Sequence, residues 1–263
     1  MAFNRVFAVA VVLLLLEVVE GREIQRLNGG GNLDYPETEA GLFQGDIVLD
    51  SSFRSGVPKY KLWPNNTLNY RFIQDDSSSS VPNYEKPKIE KVLNQLLDLI
   101  NKDGKCLSLH KWQEGESRRY LVVFTKQRGC YSSVGWWGGE QFISLGNGCL
   151  GTSTMMHEML HVIGLWHEQS RHDRDDYVTI NWENIQPGGE RQFSKAYPRM
   201  YDDWNMPYDY GSIMHYGRYY YSKNGKPTIT PKQPGVKIGM RGMPTATDIK
   251  KVRVMYGCDP KPQ

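Results

Sequence analysis

Cysteine is scarce in this chain. Its 263 residues contain four, Cys106, Cys130, Cys149 and Cys258, none of them in a C-x-x-C pair, so the signatures of a thiolate zinc cluster and of a dithiol redox site are both missing. Missing too is any apolar run able to cross a bilayer. Val6–Leu16 is 11 residues long and ends at Glu17, where a spanning helix needs about 20. With Arg5 before it and Val19 and Gly21 after it, that run has the layout of a secretory signal cut near Gly21, and residues 1–21 are read as a signal peptide. The protein is then secreted and extracellular. In an oxidising compartment four cysteines read as two disulfides, in any of three pairings, in preference to a metal site.

Aromatic residues are few between Arg22 and Arg54, a stretch that instead carries a GGGN run at 29–32 and the acidic Asp34, Glu37 and Glu39. It is too small and polar to hold a core of its own, and its one ordered-looking piece is Phe43–Leu49. Charge separates it from the rest. Residues 1–54 hold four Lys/Arg and eight Asp/Glu, a net of −4; the remaining 209 hold 28 and 21, a net of +7. An acidic leader ahead of a basic domain either lies across it as an inhibitor or is a solvated linker, and charge does not choose between them.

What the chain has in place of thiolates is histidine in a fixed pattern. Residues 157–175 read HEMLHVIGLWHEQSRHDRD. On a helix His157 and His161 lie one turn apart on the same face, with Glu158 beside them. Gly164 is where that helix can stop, because glycine enters the left-handed region without a Cβ clash. The bend would bring His167 to the same point as a third ligand. Three neutral imidazoles leave a fourth position for water, the arrangement of one catalytic Zn2+ and not of a structural one. A lone histidine on an apolar helix is usually an ordinary core residue, and H-E-x-x-H turns up by chance. Five fixed positions in eleven are different, arising about once in 10⁴ chains of this length at equal residue usage.

Around this motif the pattern is mixed. A turn at Pro64-Asn65 leads into a strand ending near Phe72, and Asn65-Asn66-Thr67 is a glycosylation sequon. Ile89, Val92, Leu93, Leu96, Leu97 and Ile100 predict an amphipathic helix over 86–100. Strands are expected at 120–124, 131–134 and 141–145. The motif helix is predicted to start near Thr152 or Ser153, either of which could cap it, and a terminal helix at 245–255. Pro187-Gly188-Gly189 and Pro207 mark loops, and Ser212–Gly217 (SIMHYG) is a second compact cluster.

These residues resemble the astacin family of secreted zinc metalloendopeptidases, within the metzincins. The extended pattern H-E-x-x-H-x-x-G-x-x-H-E-x-x-R-x-D-R-D is complete from His157 to Asp175, and Ser212–Gly217 is similar to the family's Met-turn. The similarity extends to 129–135, 176–181 and the end near Cys258, and so covers most of 55–263. It implies an α+β fold, with a twisted five-stranded mixed sheet and helices in the N-terminal half and an irregular C-terminal half closing a cleft over the zinc. It also implies the pairs Cys106–Cys258 and Cys130–Cys149, and an edge strand Tyr131, Ser132, Ser133, Val134 that holds an extended substrate. Met214 would floor the histidines, and Tyr216 would act as a switchable ligand and oxyanion donor. Phe43-Gln44-Gly45-Asp46 resembles the F-x-G-D motif of the family's propeptides, whose aspartate ligates the zinc. Residues 22–54 are then a propeptide silenced through Asp46 and cut after Arg54, and 55–263 the catalytic domain, its new N-terminus near Ser55 directed at Glu168.

The function implied is a zinc-dependent endopeptidase with Glu158 as general base, acting on proteins or peptides as a monomer after an activating protease has cut near Arg54. Nucleic acid is not among the expected partners. Only five residues follow Cys258, too few for a further binding domain, which tilts the expectation toward a digestive, hatching or venom role. The competing expectation is a secreted binding module that kept the fold without catalysis. Degraded enzymes of this kind usually lose the base or a ligand, and here all are present.

Overall fold

The computed structural model describes residues 42–49, 62–73, 77–196, 202–239 and 242–262. The expected signal peptide at 1–21, most of the leader, and the expected cleavage point at Arg54 and terminus at Ser55 lie outside the described residues.

The N-terminal half is built on a sheet. Strands β1 (Thr67–Phe72), β2 (Ser108–Lys111), β3 (Tyr120–Thr125), β4 (Cys130–Tyr131) and β5 (Gly139–Leu145) lie in the order β2-β1-β3-β5-β4. The first four strands in that order run parallel and only β4 is antiparallel, against β5. Parallel neighbours need crossovers, and helix α1 (Lys86–Asn101) supplies the one between β1 and β2. Its apolar stripe Ile89, Val92, Leu93, Leu96 and Ile100 is buried, as its spacing predicts. β3 is central. Leu121, Val122, Val123 and Phe124 are all buried, which is why this strand reads as a continuous apolar run without alternation. Against α1 pack helix α2 (Thr152–Ile163), which carries the histidine motif, and α3 (Ala246–Met255).

Two boundaries differ from expectation. α2 is capped by Gly151 in extended conformation with no side-chain bond, and neither Thr152 nor Ser153 serves. The expected strand at 131–134 ends at Tyr131. Beyond it Gly135 N–H donates to the His161 carbonyl at 2.8 Å, so the chain leaves the sheet to close onto α2.

The C-terminal half has little regular structure: 3-10 turns at Glu168–Ser170, Arg174–Asp176, Trp182–Asn184 and Glu190–Phe193, and one ribbon of β6 (Val178–Ile180) with β7 (Ile229–Pro231). Buried side chains replace ladders. Arg174 donates to the carbonyls of Gln169 and Phe193, and Arg171 to those of Met206 and Pro207. The R-x-D-R part of the long motif is thus wiring between loops. The four cysteines form Cys106–Cys258 and Cys130–Cys149. The first ties the approach to β2 to the end of α3, the second ties β4 to the turn ahead of α2.

Candidate metal centre

The last carbonyls of a helix have no partner within it, and α2 ends where two imidazoles must be held still. Gly164, at φ 135°, breaks the helix, and its N–H and that of Leu165 both reach the Leu160 carbonyl, at 3.0 and 2.9 Å. Gly135 takes the His161 carbonyl, the indole of Trp63 takes that of Val162 at 2.7 Å, and the Tyr256 hydroxyl that of Ile163 at 2.8 Å. The helix end is therefore fixed by three separate parts of the chain.

The bend delivers His167 to the expected point. His161 Nε2 lies 3.2 Å from His167 Nε2, which lies 3.3 Å from His157 Nε2. Each Nδ1 donates to an oxygen: His157 to Ile213 O at 2.9 Å, His161 to Leu165 O at 2.7 Å, His167 to Gln44 Oε1 at 2.9 Å. With the protons on Nδ1, three Nε2 lone pairs converge, and these outer bonds set both tautomer and ring orientation. Tetrahedral zinc with nitrogens at 2.0–2.1 Å would space them about 3.3–3.4 Å apart, so the donor set fits this ion.

Asp46 completes the cluster from the leader. Its Oδ2 is 3.0 Å from His157 Nε2 and 3.1 Å from His167 Nε2, and its Oδ1 is 3.6 Å from His161 Nε2. The carboxylate is fully buried, and Oδ1 has no hydrogen-bond partner among the described residues. Burial pushes its pKa up, but the His167 and His161 rings and the bond from His157 outweigh this and hold it well below the carboxylate range. For the rings, burial takes His167 down to about 4 and so favours its neutral form, while the Asp46 carboxylate offsets burial at His157. A cation at the convergence point satisfies all four groups at once.

The leader is seated along its described length. Ile47 is fully buried against Val134, Trp166 and Ala196, and Phe43 meets Trp166 edge to face at 6.1 Å. Gln44, at φ 48°, donates to the Ser194 carbonyl at 3.0 Å. Gln192 bonds Gly45 N–H and the Leu42 carbonyl, at 3.0 and 3.1 Å. Ser132 N–H donates to Asp46 O and Ser132 O accepts from Val48 N–H, both at 2.9 Å, in a parallel bridge. Of the four expected edge residues, Tyr131 belongs to β4 and Ser132 to this bridge; Ser133 and Val134 are buried in the closing turn.

Downstream residues reach the same place. Met214 is buried in the main core, and its carbonyl accepts from Glu168 N–H at 2.9 Å. Tyr216 N–H donates to Gln169 Oε1 at 2.9 Å, and its ring centroid is 4.8 Å from that of His167. The Tyr216 hydroxyl donates to the Gln44 carbonyl. Asp248 closes the capping box of α3 with its N-cap Thr245 and also accepts from Ser212 Oγ at 2.6 Å and Ile213 N–H at 3.2 Å, tying the turn to that helix. Gly239 approaches so closely that a Cβ there would lie 2.2 Å from Gly217 Cα. Glu158 is fully buried and accepts from Ser132 Oγ at 2.9 Å. Glu168 is buried too, bonded to Lys251, to Arg171 at 3.4 Å and to Asp209 N–H at 2.9 Å. Asn65 is exposed in its turn at φ 53°. Sequence reasoning missed Gln44, Ser132 as a partner of Glu158, and Lys251. The one signal available was the polar pair Ser132-Ser133 inside the apolar stretch that reads as a strand over 131–134.

An H-E-x-x-H helix, a bend carrying the third histidine and an adjacent buried glutamate, set in a mixed α+β frame, define a zinc metallopeptidase. Comparison with known proteins narrows the class. Residues 56–257 match the family model for astacin, a peptidase family, and the chain belongs to the astacin family. It is 40% identical over 220 residues to zinc metalloproteinase nas-13 of Caenorhabditis elegans, covering 82% of this chain and 46% of that protein. Against meprin A subunit beta of Mus musculus it is 34% identical over 262 residues, 96% of this chain and 35% of that one. Among solved structures, high choriolytic enzyme 1, a hatching enzyme zinc-protease from Oryzias latipes, superposes with a TM-score of 0.63 at 32% identity, over 81% of this chain and 100% of that chain. This chain thus spans under half the length of these two curated relatives. No helix among the described residues is long and apolar enough to cross a membrane.

Proposed function

We propose that this chain is the secreted zymogen of a zinc endopeptidase, with residues 1–21 as signal, 22–54 as propeptide and 55–263 as catalytic domain. The observation that carries the proposal is the convergence of three Nε2 atoms beside a buried glutamate, with a leader carboxylate on the same point. Zinc, when bound by His157, His161 and His167, would supply a Lewis acid that lowers the pKa of water to about 7.

The chain's own groups do the rest. Once the leader has gone, the backbone of Ser132 is free to hold an extended protein substrate by strand pairing. Glu158 takes the proton of the attacking water and passes it to the leaving amine. Tyr216 O–H, released from Gln44, donates to the oxyanion, a contribution of about 3 kcal/mol for one such donor. Until cleavage near Arg54 by an activating protease, Asp46 occupies the position the water needs. Asn65 is the proposed glycan acceptor, and Glu168 the proposed sensor of the new N-terminus.

Glu158→Gln tests the core of this. The activated variant should retain one zinc per chain and lose cleavage of casein or gelatin. Full activity with zinc retained would remove Glu158 from the mechanism.

A further inference from the structure

Ser132 is completely buried, and its backbone and side chain face different partners. The backbone N–H and C=O each bond the leader at 2.9 Å, to Asp46 O and Val48 N–H. The hydroxyl turns the other way, with Oγ 2.9 Å from Glu158 Oε2 and 3.0 Å from Glu158 O. A hydroxyl has one proton and two lone pairs, and of the two acceptors the carboxylate makes the stronger, charge-assisted bond. The second acceptor matters when the glutamate holds a proton. Oγ can then accept from the carboxyl and turn its own proton to the Glu158 carbonyl, so the same oxygen holds the side chain in either state.

We propose that Ser132 is a positioning residue. Its side chain aims the Glu158 carboxylate while its backbone registers the extended chain crossing the site. One residue thereby sets the distance between the bound peptide and the group that moves the proton. This rests on the reading of Glu158 as general base. It assigns to the Ser132 hydroxyl a role separate from the strand-pairing expected of its backbone, which any residue except proline could perform.

The test uses the full chain, expressed as the zymogen and then activated, comparing Ser132→Ala, Ser132→Thr and Glu158→Ala with the wild type. For Ser132→Ala, kcat on a peptide substrate is expected to fall roughly 10- to 100-fold, the range for losing an outer-shell partner or misplacing a reacting group. KM should stay within about twofold, because the backbone bonds remain. Zinc content should stay at the wild-type value, the melting temperature should fall by no more than the few degrees that one buried hydrogen bond is worth, and the uncleaved variant should remain latent. Ser132→Thr, which keeps the hydroxyl, should recover most of kcat. Ser132→Ala with wild-type kcat, while Glu158→Ala is inert, overturns this inference and leaves the general base standing. A folded, zinc-loaded Ser132→Thr as slow as Ser132→Ala overturns it too, as does a Ser132→Ala loss accounted for by missing zinc or by unfolded protein at the assay temperature. An active Glu158→Ala removes the underlying reading itself.

Discussion

Asp46→Ala in the uncleaved chain separates the ligand from the rest of the leader, and its size can be worked out contact by contact. The wild-type carboxylate is fully buried against three imidazoles. Removing one partner from a buried charged cluster costs about 3–5 kcal/mol, a factor of roughly 10² to 4 × 10³ in the closed-to-open ratio. The other anchors survive. Ile47 contributes about 1.5–3 kcal/mol as a fully buried aliphatic chain, the Phe43–Trp166 pair about 1 kcal/mol, and each neutral bond to Ser132, Ser194 and Gln192 about 1 kcal/mol. Asp46→Ala should therefore raise the activity of the intact chain by roughly 10² to 4 × 10³ and still leave it below the cleaved enzyme. Adding Ile47→Ala should close much of that gap, since truncating a buried isoleucine costs about 2–5 kcal/mol. The assay is hydrolysis of a quenched fluorescent peptide, with electrophoresis confirming that the chain is uncut. Asp46→Ala as silent as the wild-type zymogen would refute the ligand role. Full release by Ile47→Ala alone, with little from Asp46→Ala, would make the leader a steric plug.

Two further outcomes concern the frame. Lys251→Met leaves Glu168, buried beside the third histidine, with Arg171 and Asp209 N–H only partly replacing the lost ammonium. A loss of about 3 kcal/mol should lower Tm by roughly 6–12 °C in differential scanning calorimetry; an unchanged Tm would show that the pair contributes nothing. Asp259 accepts from Arg253 and Lys250, which take its pKa down to about 2. A carboxylate lowered on folding stabilises above its unfolded pKa of about 3.9 and loses that contribution as pH falls toward about 2. Asp259→Asn should accordingly melt below the wild type at about pH 6 and together with it at about pH 2, and a gap that persists at the lower pH would contradict the assignment.

Legibility follows distance along the chain. The ligand triad, the Gly164 bend and the α1 stripe are readable because their information lies within one or two helical turns, where period and backbone freedom are sequence properties. The F-x-G-D aspartate is placed by resemblance, and the geometry agrees. Less is readable where a short element owes its existence to a remote partner. β2 is four residues and the β6–β7 ribbon three a side, too short for alternation to register. The cap of α2 escapes local reading because Thr152 has the chemistry of a cap while Gly151 has the position. Trp63, Tyr256 and Gly135 hold the end of that helix from 99, 93 and 26 residues away, and no local pattern marks them. Ser132 and Glu158, also 26 residues apart, meet because the chain turns out of the sheet at Gly135, where the residue pattern reads as continuing strand.

Gln44 shows why the leader is more than a plug. Its side-chain oxygen accepts from His167 Nδ1 and its carbonyl from the Tyr216 hydroxyl, while Asp46, two residues on, meets all three histidines. Groups of the centre are thus tied to a three-residue span of the leader through a backbone turned by positive φ at Gln44 and Gly45. β-Branched residues are strongly disfavoured at positive φ, so the segment's sequence is restricted where it touches the metal point and looser beyond. Removing it does more than open a coordination position. It frees the Tyr216 hydroxyl to turn toward a substrate, and it leaves His167 Nδ1–H in need of a new acceptor, for which water entering the opened cleft is sufficient. The other two histidines keep their partners, because Ile213 and Leu165 belong to the domain. On the proposed activation, loss of the leader therefore changes the Nδ1 bonding of one ligand of three. Asp46 faces all three rings, but His167, the ligand placed by the bend, is the one whose Nδ1 partner belongs to the leader.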